Sequence, residues 1–287
     1  MKTVLILGGS GYLGQFLVQS LTKHYKLDLP TGEGMQQCFD RLGPVDAVIN
    51  CAAISSPAAC EQELDTARAL NVPTKLLDAL DLHKLVYDGS KANWRETDKC
   101  HPVNAYGRTK LEAEQLIQDR WPNHVILRSS IIFGPQSPVP VSRVLFLQFI
   151  ANGLRQGKPT TFFQDEYRCP IYVKDIVNIA MALIDSQDNL QDRLLNMGGP
   201  ERLSRLDMAY KTADCWELDR SCIVPALSAS VKRGVVSPAD ISMDSSRLLQ
   251  QLPSVKLTSL EDALLDIEHG VSSRHNGVNS SKERLGQ

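Results

Sequence analysis

The apolar run TVLIL ends at Gly8 and opens into GGSGYLG, which sets Gly8, Gly11 and Gly14 three residues apart. This feature constrains the fold more than any other in the chain. An unbroken apolar strand has to be covered on both faces, as strands of a parallel sheet are. The residues that follow have helical spacing, with Leu13, Phe16, Leu17 and Leu21 on one face. Each glycine in the turn has its own physical reason. Gly8 permits the tight turn, Gly11 lets backbone approach a diphosphate, and Gly14 lets helix and strand pack closely. A phosphate group would then meet the N–H groups and positive dipole end of the helix headed by Tyr12 and Leu13. The turn is therefore expected to hold a dinucleotide.

The rest of the chain repeats the alternation. VDAVINCAA (Val45–Ala53), HVILRSSIIFG and RLLNMGG read as buried strands, and AYGRTKLEAEQLIQDRW as a helix. CEQELDTARALNVPTKLLDALDLHK reads as one further helix, the first helix as running to about His24, and another as beginning at Asp175. Such alternation implies an α/β fold with a doubly wound parallel sheet. The 287 residues fit one large domain or two closely joined ones. A net charge of −2 offers no electrostatic attraction to nucleic acid or an anionic membrane, so neither is expected as a partner. No run reaches the roughly 18 apolar residues of a membrane span. Seven scattered Cys without a C-x-x-C pattern suit free thiols in a reducing, cytoplasmic compartment. Cys51 reads as a small core residue. The six His lack ligand spacing, so no metal site is expected.

Tyr106 and Lys110 lie four apart at the head of a helical run, hence on one face. A free phenol has a pKa near 10 and exchanges protons poorly at neutral pH. A nearby ammonium favours the phenolate and lowers that value. Tyr106 can then trade a proton with a carbonyl or alcohol oxygen while a nicotinamide moves a hydride. The same spacing also occurs on solvated helix faces; the dinucleotide turn earlier in the chain gives it weight here.

The segments GGSGYLG, VINCAA, LNV, VYDGS, NAYGRTKLEAE, LRSSIIFG, CPIYVKDI, NMGGPERLSRLDMA and ISMDSSRL run in order from residue 4 to about 250. In these the chain resembles the extended short-chain dehydrogenases/reductases. Within them it is similar to the dTDP-4-dehydrorhamnose reductase group and to the related regulatory beta subunit of methionine adenosyltransferase. The resemblance implies a Rossmann-type sheet over residues 1–135, with 170–200 returning to it. It also implies a smaller substrate-binding part over 136–270, and 271–287 reads as a disordered tail. It implies NAD or NADP as cofactor, Tyr106 as proton donor, and Lys110 holding the ribose and tuning Tyr106. Asn50, Ala52 and Ala53 would line the cofactor site, and Asp28 would approach the adenine. The implied partners are a nucleotide-sugar substrate, and either a second copy in a homodimer or a synthetase.

Two places look short against that pattern. The family's catalytic Ser or Thr lies in a strand ahead of a motif that here reads Leu85–Gly89, LVYDG. Before it stands only the helix-like tail Asp81–Lys84, without a Ser or Thr within reach. A strand normally takes about five residues plus a turn. Near the start, the second strand and its ribose-reading residue are also lacking, which leaves NAD and NADP undistinguished. Both gaps fall at element boundaries and read as skipped coding segments. A shortened form with impaired stability and cofactor binding is therefore expected.

On the substrate side, Arg128 and Arg168 are expected to hold the sugar nucleotide's diphosphate, because guanidinium matches phosphate oxygens bidentately. Surface ion pairing is the alternative for each. Asp175 is expected to cap its helix. Glu201 and Arg202 read as structural or substrate-facing, and Asp244 and Arg247 have no role that the sequence reveals.

Overall fold

The computed structural model describes residues 2–21, 24–27, 45–74, 91–141, 144–186 and 189–268. Strand β1 (Val4–Leu7) is buried at every position and runs through the glycine turn into helix α1 (Tyr12–Ser20). The helix is shorter than its spacing suggested. It stops at Ser20, and β2 (His24–Leu27) pairs in parallel with β1, Val4 opposite His24. The other edge of β1 is taken by β3 (Ala47–Asn50), also parallel, with Leu7 opposite Asn50. The three-stranded sheet has the order β2-β1-β3. A strand buried on both faces must satisfy its backbone on both edges, and these two neighbours do so.

After β3 the expected single helix is two: α2 (Pro57–Gln62), capped by the Ser56 hydroxyl, and α3 (Leu64–Asn71). Glu63 between them is non-helical and joins them in a bend. Helix α4 (Ala105–Arg120) packs on both. Its first turn is fixed by Asn104, whose side chain accepts the Gly107 N–H at 2.9 Å. The third buried run is two strands, β4 (Ile126–Ser129) and β5 (Ile132–Phe133).

The chain then forms α5 (Phe146–Arg155), β6 (Thr160–Phe163), β7 (Tyr167–Arg168), β8 (Ile171–Tyr172) and α6 (Val173–Ser186). Beyond these come β9 (Leu194–Met197), β10 (Leu203–Ser204), α7 (Arg205–Cys215), β11 (Ile223–Ala226), α8 (Ser246–Gln251) and a last helix, α9, over 260–268. Strand β9 pairs in parallel with β4, and β8 with β5. Strand β11 lies parallel to β6, and β10 antiparallel to β7.

Helix α6 begins at Val173, two residues before the expected start. Asp175 does not cap it: its carboxylate accepts the Thr258 N–H at 2.7 Å and the Thr258 hydroxyl at 2.8 Å. It anchors the segment leading into α9. Burial pushes the Asp175 carboxyl above its ordinary value, against the pull of those two hydrogen bonds.

Residues 91–100 are tied to 240–247, about half the chain's length away. The Trp94 N–H meets Ser242 O at 2.8 Å, the Asp244 N–H meets Trp94 O at 2.9 Å, and the indole donates to Asp240 O at 3.0 Å. The side chain of Asn196, in β9, donates to Trp94 O at 2.8 Å.

Candidate functional site

The glycine turn lies at the carboxyl end of β1. Gly8 has φ +76°, a left-handed conformation that other residues adopt only with strain. A side chain at Gly8 would also come within 2.8 Å of Ala52 N, so the turn lies against the loop that follows β3. At Gly14 a Cβ would sit 2.2 Å from Gly8 O, which is no space at all. The turn closes through Gly11 N–H to Gly8 O at 2.9 Å. No side chain caps the start of α1, and no acidic residue stands in its first turn. The bare cradle and uncapped helix end fit a diphosphate.

Three side chains on the first turn of α1 organise the surroundings. Tyr12 donates its hydroxyl to Pro135 O at 2.8 Å, and Leu13 packs between core clusters. Gln15, unremarked in the sequence, is buried. It donates to Ser10 O at 2.8 Å and to Val139 O at 3.0 Å, and accepts the Val139 N–H at 2.8 Å. The segment 135–139 is thereby strapped to the glycine turn.

Beyond β3, the Asn50 side chain accepts the Ala52 N–H at 2.9 Å, which holds Ala52 and Ala53 in an open loop beside Gly8. The connection from this loop to Tyr106 runs through Asn71, in the motif LNV. Asn71 is 2% exposed. It accepts the Ile54 N–H at 2.8 Å and donates to Ile54 O and to the Thr109 hydroxyl, both at 3.1 Å. Thr109 in turn donates to Tyr106 O at 2.9 Å. A continuous run of hydrogen bonds thus joins the loop after β3, at Ile54, to the first turn of α4.

Tyr106 is partly exposed and Lys110 is buried below it, its Nζ 5.8 Å from the centre of the Tyr106 ring. Burial lowers the Lys110 pKa to about 8, only partly opposed by the Cys60 thiol. The Cys60 thiol itself is raised by burial, with Asn71 and Lys110 pulling it down. Gly107 lets this turn sit on Pro102, since a Cβ there would lie 2.7 Å from Pro102 Cβ.

Arg128, expected on the substrate side, is paired with a carboxylate of the protein. It is 3% exposed, and its Nε and Nη2 donate to the two carboxylate oxygens of Glu114, each at 2.9 Å. Its Nη2 also reaches Cys100 Sγ at 3.3 Å. The guanidinium is committed inside the protein, and the pair is buried rather than superficial. Arg168 is committed too. It donates to Tyr167 O at 2.6 Å, Pro238 O at 3.0 Å, Ala239 O at 3.3 Å and Ser237 Oγ at 3.2 Å.

Two of these residues, Tyr167 and Ala239, line an open cleft of about 780 Å³, together with Lys91, Gln164, Arg202, Asp207 and Asp240 among others. Arg202 stands in it, 3.6 Å above the Tyr167 ring, with its Nε donating to Asp240 at 2.8 Å. Glu201 turns away, accepting the Leu260 N–H at 2.7 Å. Asp244 pairs with Arg95, and Arg247 with Asp192 and Glu96. Cys51 is half-buried against the β1–β3 core. Of the first stretch that looks short, YKLDLPTGEG, residues 25–27 fall in β2, and the rest, with Asp28, lies outside the described residues, as does the stretch before Leu85.

Known proteins resemble this arrangement over nearly its whole length. Methionine adenosyltransferase 2 subunit beta of Danio rerio is 26% identical, over 92% of this chain and 90% of that protein. The probable low-salt glycan biosynthesis reductase Agl14 of Haloferax volcanii is 24% identical, over 93% and 97%. The crystal structure of dTDP-4-dehydrorhamnose reductase from Bacillus anthracis, in complex with NADP, superposes with a TM-score of 0.82. It covers 94% of this chain and 100% of that one at 19% identity, which establishes the shared Rossmann-type α/β fold. The profile of the RmlD substrate binding domain matches residues 83–268, more than half of the sequence. With α4, β4 and the cleft all inside the matched segment, this chain belongs to the RmlD substrate binding domain family.

Proposed function

We propose that the chain is an NAD(P)-dependent reductase-like protein that acts on a keto-sugar nucleotide, of the dTDP-4-dehydrorhamnose reductase type. The observation that carries this reading is the hydrogen-bonded run from Ile54, in the loop that meets the glycine turn at Ala52, through Asn71 and Thr109 to Tyr106, which supports placing the turn and the Tyr106–Lys110 pair in one crevice. A bound nicotinamide cofactor supplies the hydride. Gly8, Gly11 and Gly14 leave room for its diphosphate, and Asn50, Ala52 and Ala53 flank it. Tyr106 gives its phenolic proton to the keto oxygen of the sugar. Lys110 holds the ribose hydroxyls and, as an ammonium, eases that proton's departure. On the substrate side, Arg202 lines the cleft, while Arg168 holds Tyr167 and Ala239 of its lining in place. Relatives and fold neighbours include proteins that carry NADP or NAD, in keeping with either cofactor. The scattered thiols fit a cytoplasmic setting.

The Ser or Thr that normally shares the substrate oxygen with the tyrosine is wanting in the sequence before Leu85. We take the chain to be a shortened form for that reason. One positioned donor can be worth about 100-fold in rate, so turnover is expected to be weak. The test is NADPH oxidation with dTDP-4-keto-6-deoxymannose, followed by absorbance. Turnover that disappears in Tyr106→Phe supports the reductase. A second reading draws on the resemblance to methionine adenosyltransferase 2 subunit beta over most of the chain. In it the chain is a non-catalytic subunit that keeps the nucleotide crevice and binds a synthetase. NADPH binding without turnover, together with co-purification of a methionine adenosyltransferase catalytic subunit, decides for it.

A further inference from the structure

Lys110 and Glu114 stand one turn apart on the buried face of α4. Helical side chains four apart are neighbours, with Cβ atoms about 5–6 Å from each other. A lysine and a glutamate so placed, away from water, have every reason to pair. They do not. Both Glu114 oxygens are taken by Arg128, at 2.9 Å each, with both side chains buried. Among the described residues Lys110 meets no carboxylate within ion-pair distance. The groups that face it are the Tyr106 ring on its own helix and the Cys60 thiol from α2. The charged side chains of α2 and α3 nearest to α4 are engaged at its outer face, Glu61 with Arg108 and Arg68 with Glu112.

We propose that Arg128 is a positioning residue for Lys110: by occupying both oxygens of Glu114, it denies Lys110 a carboxylate and keeps the ammonium available to a ribose beside Tyr106. The first half of the statement concerns only the protein, and the second rests on the cofactor reading given above. Arg128 suits the task because its planar fork satisfies both carboxylate oxygens at once, whereas a lysine there would leave one open. Two further contacts, to Cys100 Sγ at 3.3 Å and Glu96 O at 3.4 Å, hold the fork as well. On α4 the cation one turn back from Glu114 is Lys110, which Arg128 leaves without that carboxylate.

The test follows the titration of the lysine side chains by NMR in the full chain without cofactor, with Lys110→Met assigning the signal. Arg128→Met should raise the Lys110 midpoint by about one to three pH units, the effect of a close opposite charge. Arg128→Met combined with Glu114→Met should return it to the parent value, because the competing carboxylate is gone. Breaking a buried pair is strongly destabilising, so Arg128→Lys provides a milder break with a midpoint between the two. In parallel, NADPH affinity at pH 7 should drop about tenfold in Arg128→Met and recover in the double variant. An unmoved midpoint in Arg128→Met and Arg128→Lys overturns the proposal, as does a double variant that stays shifted. If the midpoints move as stated but NADPH binds to none of these proteins, the cofactor reading falls and the competition for Glu114 stands. If NADPH binds all of them alike, the positioning role falls.

Discussion

The surroundings of Tyr106 and those of Phe162 are built from different materials. Around Tyr106 the fully buried apolar residues are small: Cys60, Ala67 and Ala105. Beside them lie buried polar groups, Asn71, Thr109, Lys110 and Glu114. Around Phe162 the packing is aliphatic and aromatic, with Phe133, Leu147, Ile150, Leu154 and Tyr172 buried together. Phe146 and Phe149 meet Phe162 edge-on, at 6.3 and 6.1 Å between ring centres. Apolar contact is strong in sum but has no direction. Hydrogen bonds contribute modestly to net stability yet fix angles and distances. The aromatic body therefore holds the C-terminal half together, while the polar network aims a phenol and an ammonium.

The contrast can be broken at several points. The largest effect is expected at Phe162, which is 1% exposed. Phe162→Ala should cost about 3–5 kcal/mol of unfolding free energy in urea titrations. A loss below about 1 kcal/mol would mean that the aromatic body is not the main source of cohesion. Asn71→Leu comes next. It keeps the γ-branched shape but strands the Ile54 N–H and carbonyl, for a loss of roughly 2–3 kcal/mol. Its distinguishing mark is NADPH affinity, which should fall more than in Phe162→Ala at matched stability, as read by isothermal titration.

Lys110 offers a pH test. Its pKa is lowered to about 8 in the fold, below the ordinary 10.5. The buried ammonium is thus a cost, fully present below about pH 8 and relieved as the pH climbs from there towards 10.5. Lys110→Met should stabilise the cofactor-free protein at pH 7 by roughly 2–3 kcal/mol. That advantage should shrink across the same alkaline window, and NADPH binding should be lost. A pH-independent difference between the two proteins would contradict the assignment of the cost to charge. The smallest effect is expected at the exposed Arg68–Glu112 pair. Arg68→Ala should leave the urea midpoint nearly unchanged, since solvent-exposed ion pairs contribute little. A large loss there would blur the distinction between the outer and inner faces of α4.

Much of the architecture was legible from local pattern. The strand, the glycine turn and the first helix follow from spacing within some twenty residues, as does the Tyr106–Lys110 helix. Boundaries were less legible. The kink at Glu63, the end of α1 at Ser20 and the start of α6 at Val173 depend on what each segment packs against. Asn71 was visible only as part of a motif, and Gln15 gave no signal of its strap to Val139.

The sequence alone determined that a parallel strand meets a helix across a glycine turn, and that a tyrosine and a lysine share one helix face. Both are consequences of backbone geometry repeated at short range. Tertiary structure alone decided what the charged side chains do. Arg128 reads as a diphosphate ligand until Glu114, on another element, is seen to face it. Arg168 reads the same way until the carbonyls of 238 and 239 arrive from seventy residues further on. A guanidinium takes whichever acceptors the fold brings to it, and no local pattern states which those will be.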